Sequence, residues 1–157
     1  MKNTLNYNEF LGKAKKYCAA AEHCKSEVWQ KLTAWGAPED IKTTLINQLE
    51  KENYISEKRY ADLYVRSKVN QNKWGVLKIS SGLHARRIPH EIIVEALKQI
   101  DTEQYRKNLQ LLILSKSKEL KETEPFIRKQ KILAFLSARG YEIDLAEKFL
   151  INEKTES

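Results

Sequence analysis

Residues 83–92 read LHARRIPHEI, and two other stretches of the chain are variants of the same ten-residue pattern. They are LTAWGAPEDI at residues 32–41 and LSARGYEIDL at residues 136–145, so the copies follow one another at offsets of 51 and 53 residues. A pattern of about fifty residues that occurs three times is typical of tandem repeats, in which no single unit buries its own apolar face. The sequence therefore predicts three stacked units.

Each copy has the features of a helix end followed by a turn. The leading leucine comes four residues after another apolar residue, as Leu83 follows Ile79, and this spacing places both on one helix face. Gly36 and Gly140 occupy the turn, where a left-handed backbone favours glycine. Arg87 stands at the same position in the middle copy. We expect a second helix after each turn.

Further signals give the number and the order of the helices. Pro38 and Pro89 mark the first position of the helices after the turns, because proline lacks the N–H group that has no partner there. Amphipathic helices also precede each copy, and Ser56 and Thr102 are the predicted N-caps of the second and third of these. The prediction is an all-α protein, an elongated and curved array of three tandem three-helix repeats with about nine helices. The predicted units are residues 1–55, 56–101 and 102–157.

The charge of the chain indicates the kind of partner. Lys and Arg number 28 against 21 Asp and Glu, a formal net charge of +7, and residues 56–100 alone hold nine bases against four acids. Polyanions are therefore the expected partners, nucleic acid before a membrane surface. The longest apolar runs, such as Leu111–Leu114, are far below the roughly 20 residues of a membrane span. The first residues also lack the apolar segment of a secretory signal, so we expect a cytoplasmic protein.

No pattern of chemically reactive residues indicates catalysis. The three histidines, His23, His84 and His90, have no neighbouring nucleophile and base, and an interval of six does not place two metal ligands on one helix face. Cys18 and Cys24 match no zinc spacing and suit a disulfide poorly, so we expect ordinary helix residues in a reducing compartment. A glycine-rich phosphate loop is also absent from the sequence. We expect a binding protein that is not an enzyme and uses no cofactor or metal.

The stretch from Asn53 to Ala96 resembles the RecX family of bacterial recombination regulators. It contains NYIS before a helix, RYADLYVRS within that helix, Gly75 after a short basic linker, and a final EII helix. The order and spacing of these weak motifs carry the resemblance, which extends more loosely from about residue 10 to residue 150. Arg87 departs from the family, which usually has Gly in this turn. The resemblance implies nine helices in three tandem repeats, the architecture that the repeat pattern predicts independently.

The resemblance also implies a function. A RecX protein is expected to bind the RecA recombinase and its filament on single-stranded DNA, to act as a monomer, and to inhibit or modulate strand exchange and ATP hydrolysis in DNA repair. The alternative is a non-specific DNA-binding helical protein that needs no recombinase. A third hypothesis, a helix-turn-helix transcription factor, is disfavoured because HEIIVEALKQI begins behind a proline and has few base-reading side chains.

Basic side chains are the candidates for binding the partner or DNA. Arg59 and Arg66 fall opposite the apolar stripe of their helix and are expected to face outward, although Arg66 also has the spacing for a surface pair with Asp62. Trp74 is either a stacking platform for an unpaired base or a core residue. The predicted set is Lys58, Arg59, Arg66, Lys73, Trp74, Lys78, Arg86, Arg87, Arg128, Lys129, Lys131 and Arg139.

Two features of the set concern its arrangement in the fold. Arg86 and Arg139 occupy equivalent places in their repeats, which predicts a basic stripe along the array. Gly82, in the middle of a predicted helix, costs about 1 kcal/mol relative to Ala. We expect either close approach of another backbone at Gly82 or simple tolerance at the surface.

Overall fold

The computed structural model describes residues 2–156, and these residues form nine α-helices with no strand among them. The helices are α1 (Lys2–Ala20), α2 (Lys25–Ala34), α3 (Glu39–Lys51), α4 (Glu57–Asn70), α5 (Val76–Ala85), α6 (His90–Leu97), α7 (Thr102–Glu119), α8 (Pro125–Ala138) and α9 (Ile143–Glu156). The predicted all-α class and the number of helices are confirmed.

Apolar side chains gather in three cores, and each core belongs to three consecutive helices. We call α1 to α3 the first unit, α4 to α6 the second unit and α7 to α9 the third unit. Neighbouring units share apolar residues, because Cys24 of the first unit lies in the second core, and Val76 and Ile100 pack against the third core. Fully buried members include Leu32, Leu45 and Leu49 in the first core, Ile79, Leu83 and Ile93 in the second, and Leu109, Ile113 and Leu136 in the third.

The accessible surface agrees with stacked units. It amounts to 10041 Å², whereas a compact protein of 18.3 kDa exposes about 8100 Å². Stacked units leave the sides of each unit in contact with solvent, which accounts for the larger surface of an elongated array. The curvature of the array remains a prediction.

Polar side chains fix where the first helix of a unit begins. Ser56 caps α4 as predicted, because its Oγ accepts a hydrogen bond of 3.2 Å from the N–H of Arg59. The prediction for Thr102 is wrong, since Asp101 is the N-cap of α7 and accepts from the N–H groups of Glu103 and Gln104 at 2.9 and 3.2 Å. A carboxylate also interacts favourably with the positive end of the helix, which accounts for the start of α7 at this residue.

The turns between the second and third helices have the same backbone conformation in all three units. Gly36, Arg87 and Gly140 have φ of 84°, 59° and 94°, so Arg87 adopts the left-handed conformation that glycine adopts in the other two. Pro38 and Pro89 lie one residue earlier than predicted, as the N-caps of α3 and α6. Proline fits this position because its N–H is not required there and its φ is compatible with the cap.

Candidate partner-binding surface

The junction between the second and third units, which we call the second junction, is closed by main-chain hydrogen bonds. The N–H of Gly75 donates to the carbonyl oxygen of Arg139 at 2.8 Å, and the N–H of Leu77 donates to that of Gly140 at 2.9 Å. A Cβ on Gly75 would overlap the main chain of Gly140 and Tyr141. N–H groups at the start of α5 therefore bind carbonyl oxygens at the end of α8. A helix leaves N–H groups at its start and carbonyl groups at its end without partners, and these bonds satisfy both kinds.

Two buried tyrosines strengthen the second junction. The Oη of Tyr105 accepts from the N–H of Val76 at 3.0 Å and donates to Glu142 at 2.6 Å. The Oη of Tyr141 donates to the carbonyl oxygen of Lys73 at 2.7 Å. Burial raises the pKa of Tyr141 to about 12 and raises the pKa of Tyr105 as well. Both hydroxyls therefore stay protonated at neutral pH and act as donors.

The junction between the first and second units, which we call the first junction, depends on side chains. The N–H of Cys24, at the position equivalent to Gly75, is bound by Glu27 of its own helix at 3.2 Å. The Oγ of Ser26 donates to the carbonyl oxygen of Arg86 at 3.0 Å. Beside this bond lies an open groove of about 550 Å³, which we call the junction groove. Trp29 is among the residues that line it.

Arg59, predicted to face outward, holds the first and second units together. Its Nε donates to Glu22 at 2.8 Å, and its two terminal nitrogens donate to the side chain and the main chain of Asn53 at 2.7 and 3.0 Å. A planar guanidinium suits several acceptors at once. This guanidinium is therefore engaged within the protein.

Three further arginines of the predicted set bind carbonyl oxygens near helix ends. Arg86 donates to Gly82 at 3.0 Å, and Arg139 donates to Asn72 across the second junction at 2.7 Å. Arg128 donates to the carbonyl oxygens of Ser117, Leu120 and Glu122 at the end of α7, at 2.8, 3.2 and 2.7 Å. These contacts are structural, and the basic stripe that we expected from Arg86 and Arg139 remains a prediction.

Trp74 packs half-buried against the second core and also holds two lysines. The Nζ of Lys68 lies 4.6 Å from the centre of a Trp74 ring, and the Nζ of Lys78 lies 4.3 Å from it. Tyr64 meets Trp74 edge-on at 6.5 Å and carries Arg86 over its own ring at 5.1 Å. We call these five residues the cation–aromatic cluster. The sequence left two hypotheses for Trp74, a core residue or a platform for an unpaired base. In the structure the ring packs against the second core and also holds two ammonium groups.

The sequence did not predict Lys68 as a binding residue, because its carbon chain lies on the apolar stripe of α4. Long basic side chains often lay their stem on apolar surface and extend the charged group beyond it. Tyr64 and Lys68 are four residues apart, which places them on one helix face. This spacing is the sequence signal from which contact between the Lys68 ammonium group and an aromatic ring could have been predicted. Neither Lys68 nor Lys78 forms an ion pair with any side chain that the structure describes.

The remaining members of the predicted set lie at other places on the surface. Asp62 pairs with Lys58 at 2.9 Å, so the pair with Arg66 that the spacing allowed does not form, and Arg66 is exposed. Lys131 lies 4.0 Å from Glu122. Lys73, with φ of 53°, and Lys129 are half-buried, and Arg87 is exposed at the junction groove.

Glycine in the middle of α5 also has a specific cause. A Cβ on Gly82 would overlap the hydroxyl of Tyr64, so the close neighbour of this glycine is a side chain and not another backbone. The position therefore belongs to the packing around the cation–aromatic cluster.

The histidines and cysteines provide no reactive cluster among the side chains that the structure describes. His84 and His90 stack at 5.5 Å and 17° across the turn between α5 and α6, and parallel rings do not converge on one metal ion. No group of three or more metal-ligating side chains occurs within the described part of the chain. Cys18 and Cys24 are buried free thiols, and burial raises the pKa of Cys18 to about 11.

The described helices include none with the length and apolar character of a membrane span. Together, the stacked units, the unpaired cations of the second unit and the junction groove describe a helical-repeat protein whose surface carries a basic second unit. Comparison with known proteins identifies the family. The model of the RecX second three-helix domain matches residues 56–97.

Relatives named Regulatory protein RecX match a larger part of the chain. That of Chromohalobacter salexigens is 31% identical over 127 residues, which is 80% of both chains, and that of Clostridium botulinum strain Eklund 17B is 30% identical over 123 residues, 77% of this chain and 57% of the relative. The chain belongs to the RecX family of regulatory proteins. It spans 54% to 64% of the length of several relatives from Clostridium and Bacillus species.

Solved structures agree with the fold. The crystal structure of RecX from Lactobacillus salivarius has a TM-score of 0.83 and 21% identity and covers 95% of this chain and 97% of its own. Another crystal structure of a regulatory protein RecX has a TM-score of 0.86 at 21% identity, over 93% of this chain and 72% of its own. At this identity the likeness establishes the three-unit helical architecture alone.

Proposed function

We propose that this protein regulates the RecA recombinase by binding its filament on single-stranded DNA, and that it inhibits or modulates strand exchange, ATP hydrolysis and DNA repair. The observation that carries the proposal is the concentration of unpaired positive charge on the second unit, the part of the chain that matches the RecX domain model. The cations there that form no ion pair with a described side chain are Arg66, Lys68, Lys73, Lys78, Arg86 and Arg87.

The chemistry of the cation–aromatic cluster supports a nucleoprotein partner. Lys68 and Lys78 lie against the ring of Trp74 without a carboxylate to neutralise them, so their positions are restricted before a partner binds. Restricted cations lose less conformational entropy when they bind a phosphate or a carboxylate. Because the ring already carries these ammonium groups, the cluster is suited to phosphate oxygens more than to base stacking.

The architecture supports a regulator more than an enzyme. A filament offers the same surface again at every subunit, and an elongated array of three units can contact more than one of them. The accessible surface of 10041 Å² and the three successive cores fit this mode of binding. A single copy of the protein is sufficient, so the proposal includes a monomer.

The test is ATP hydrolysis by RecA on circular single-stranded DNA. Sub-stoichiometric protein should slow hydrolysis, and no change at a stoichiometric excess would count against the proposal. The double variant Lys68→Ala/Lys78→Ala should require a concentration about three- to tenfold higher for the same effect, because two phosphate contacts are lost. The matched control Lys15→Ala/Lys98→Ala removes two lysines that pair with Glu52 and Glu95, and should act like the wild type.

The alternative is a DNA-binding protein without a recombinase partner. Binding measurements at rising salt concentration distinguish it from the proposed function. Affinity for naked DNA should fall steeply with salt concentration, since binding by phosphate contacts releases counterions. Capture by the RecA filament should exceed binding to the same DNA at every salt concentration. Equal affinity for the filament and for naked DNA would favour the alternative.

A further inference from the structure

The junction groove has a mixed lining that distinguishes it from the other surfaces of the protein. Ile46 and Glu57 are buried there, whereas Asn47 and Arg87 are exposed, and Trp29 is 36% exposed. These residues come from α2, α3, α4 and the turn between α5 and α6, so the groove exists only when the first and second units are stacked. Its volume of about 550 Å³ is within the range of small-ligand and peptide sites.

Arg87 stands in this groove at an energetic cost to the backbone. Its φ of 59° is in the left-handed region, which is unfavourable for a residue with a Cβ. The equivalent turns of the first and third units use Gly36 and Gly140, for which the conformation is unstrained. A strained residue at a groove, where glycine occurs in the sister units, points to a role for its side chain.

Glu57 supplies the second observation, and it indicates the chemistry of the ligand. The residue is only 8% exposed, lines the groove, and its Oε2 has no hydrogen-bond partner among the described residues. Burial raises the pKa of the Glu57 carboxyl, although neighbouring Lys25 opposes this effect. This oxygen has almost no accessible surface of its own, so Glu57 acts on a ligand in the groove through its charge, which disfavours a second anionic group beside it.

These features select between two kinds of anionic ligand. A phosphodiester backbone has acceptors only, so it satisfies Arg87 and is repelled by Glu57. A peptide with acidic side chains offers a carboxylate for the guanidinium of Arg87 and an uncharged main chain that can lie beside Glu57. The amide of Asn47 can pair with a peptide main chain, and the exposed part of Trp29 can pack against an apolar side chain.

We propose that the junction groove binds an extended acidic peptide segment of a partner protein, with Arg87 binding a side-chain carboxylate and the uncharged main chain of the peptide lying beside Glu57. This site lies apart from the cation–aromatic cluster and goes beyond the proposed function. It holds for any partner that carries such a segment, so it does not depend on the recombinase.

The test uses a fluorescein-labelled random copolymer of Glu, Ala and Tyr, followed by fluorescence anisotropy with the full-length protein. Arg87→Gly should weaken binding about five- to tenfold, because a charge-assisted hydrogen bond is lost. The same variant should raise the midpoint of thermal unfolding, since glycine relieves the left-handed residue, so weaker binding cannot result from unfolding. The matched control Arg106→Ala removes an exposed arginine of the third unit outside the groove and should change binding less than about twofold.

Three results would overturn the proposal. The first is no binding of the copolymer, and the second is equal weakening by Arg87→Gly and Arg106→Ala, which would mean that net charge alone attracts the polymer. The third is displacement of the copolymer by an equal charge of oligothymidylate, with the same loss for both ligands in Arg87→Gly. That result would assign the groove to phosphodiester.

Discussion

The second junction is joined through the main chain, whereas the first junction is joined through side chains and leaves a groove. Glycine faces glycine at the second junction, where Gly75 meets Gly140, and their backbones approach to hydrogen-bonding distance. At the first junction the equivalent residues are Cys24 and Arg87, both of which carry a Cβ, and no main-chain hydrogen bond joins the two units among the described residues. Close approach between units therefore requires the absence of a Cβ on both sides.

The two junctions also differ in which acceptor binds the same N–H group. At the second junction the N–H of Gly75 binds the third unit. At the first junction the N–H of Cys24 binds Glu27 within its own helix, so this group contributes nothing to the contact between units. We infer that the second and third units behave as one cooperative body more than the first and second do, because nearest-neighbour terms determine cooperativity in repeat proteins.

The largest expected effect comes from adding a Cβ at the second junction. Gly75→Ala should reduce the free energy of unfolding by about 2–4 kcal/mol, because the new methyl group overlaps main-chain atoms that have no alternative position. Urea unfolding followed by circular dichroism measures this change. A clear fall in the m-value, which measures the surface exposed in the transition, would indicate that the third unit separates before the rest.

The control for this variant is Gly36→Ala in the first unit. No atom lies within 4 Å of a Cβ at Gly36, but its φ of 84° remains unfavourable for alanine. We expect a loss of about 1 kcal/mol from the backbone alone. Equal losses in the two variants would mean that steric overlap at the second junction is not important.

The sequence predicted the fold well because its signals are local. The recurring leucines fix the helix faces, the turn residues fix the helix ends, and the offsets of 51 and 53 residues fix the number of units. The error at α7 has a local cause too, since Asp101 and Thr102 are adjacent capping residues and the sequence does not decide between them. Small shifts of this kind are expected at helix ends.

The candidate site was predicted less well, because its contacts depend on how units meet. The predicted set included Arg59 and Arg139, but the sequence did not show that their guanidinium groups bind residues of neighbouring units. Lys68 was missed because its ammonium group lies on a ring from the linker that follows α4. The junction groove had one signal in the sequence, Arg87 at a turn position that glycine occupies in the other copies.

A smaller effect should appear at alkaline pH, and Tyr141 at the second junction should contribute to it. Burial raises the pKa of Tyr141 to about 12 from about 10 in the unfolded chain. The protonated hydroxyl therefore stabilises the fold fully below pH 10, and this contribution is lost as the pH rises from about 10 to about 12. Tyr141→Phe should cost about 1–2 kcal/mol at neutral pH and should lose less stability than the wild type over that range.

The control for the alkaline measurement is Ile113→Val, which truncates the same core without a titrating group. Its cost relative to the wild type should stay constant from pH 8 to about 12. If the difference between Tyr141→Phe and the wild type also stays constant, the buried hydroxyl does not contribute to the alkaline transition.

The smallest expected effect concerns the first junction, where a single hydroxyl binds the neighbouring main chain. Ser26→Ala removes the hydrogen bond to the carbonyl oxygen of Arg86 and should cost about 0.5–1 kcal/mol, because the open groove lets water take the place of the hydroxyl. Ser67→Ala, at an exposed hydroxyl within α4, is the control and should cost less. A loss above about 2 kcal/mol for Ser26→Ala would mean that no water replaces the hydroxyl as the hydrogen-bond partner of the Arg86 carbonyl oxygen. The first junction would then be as closed as the second, and the contrast between glycine and larger residues would no longer explain the groove.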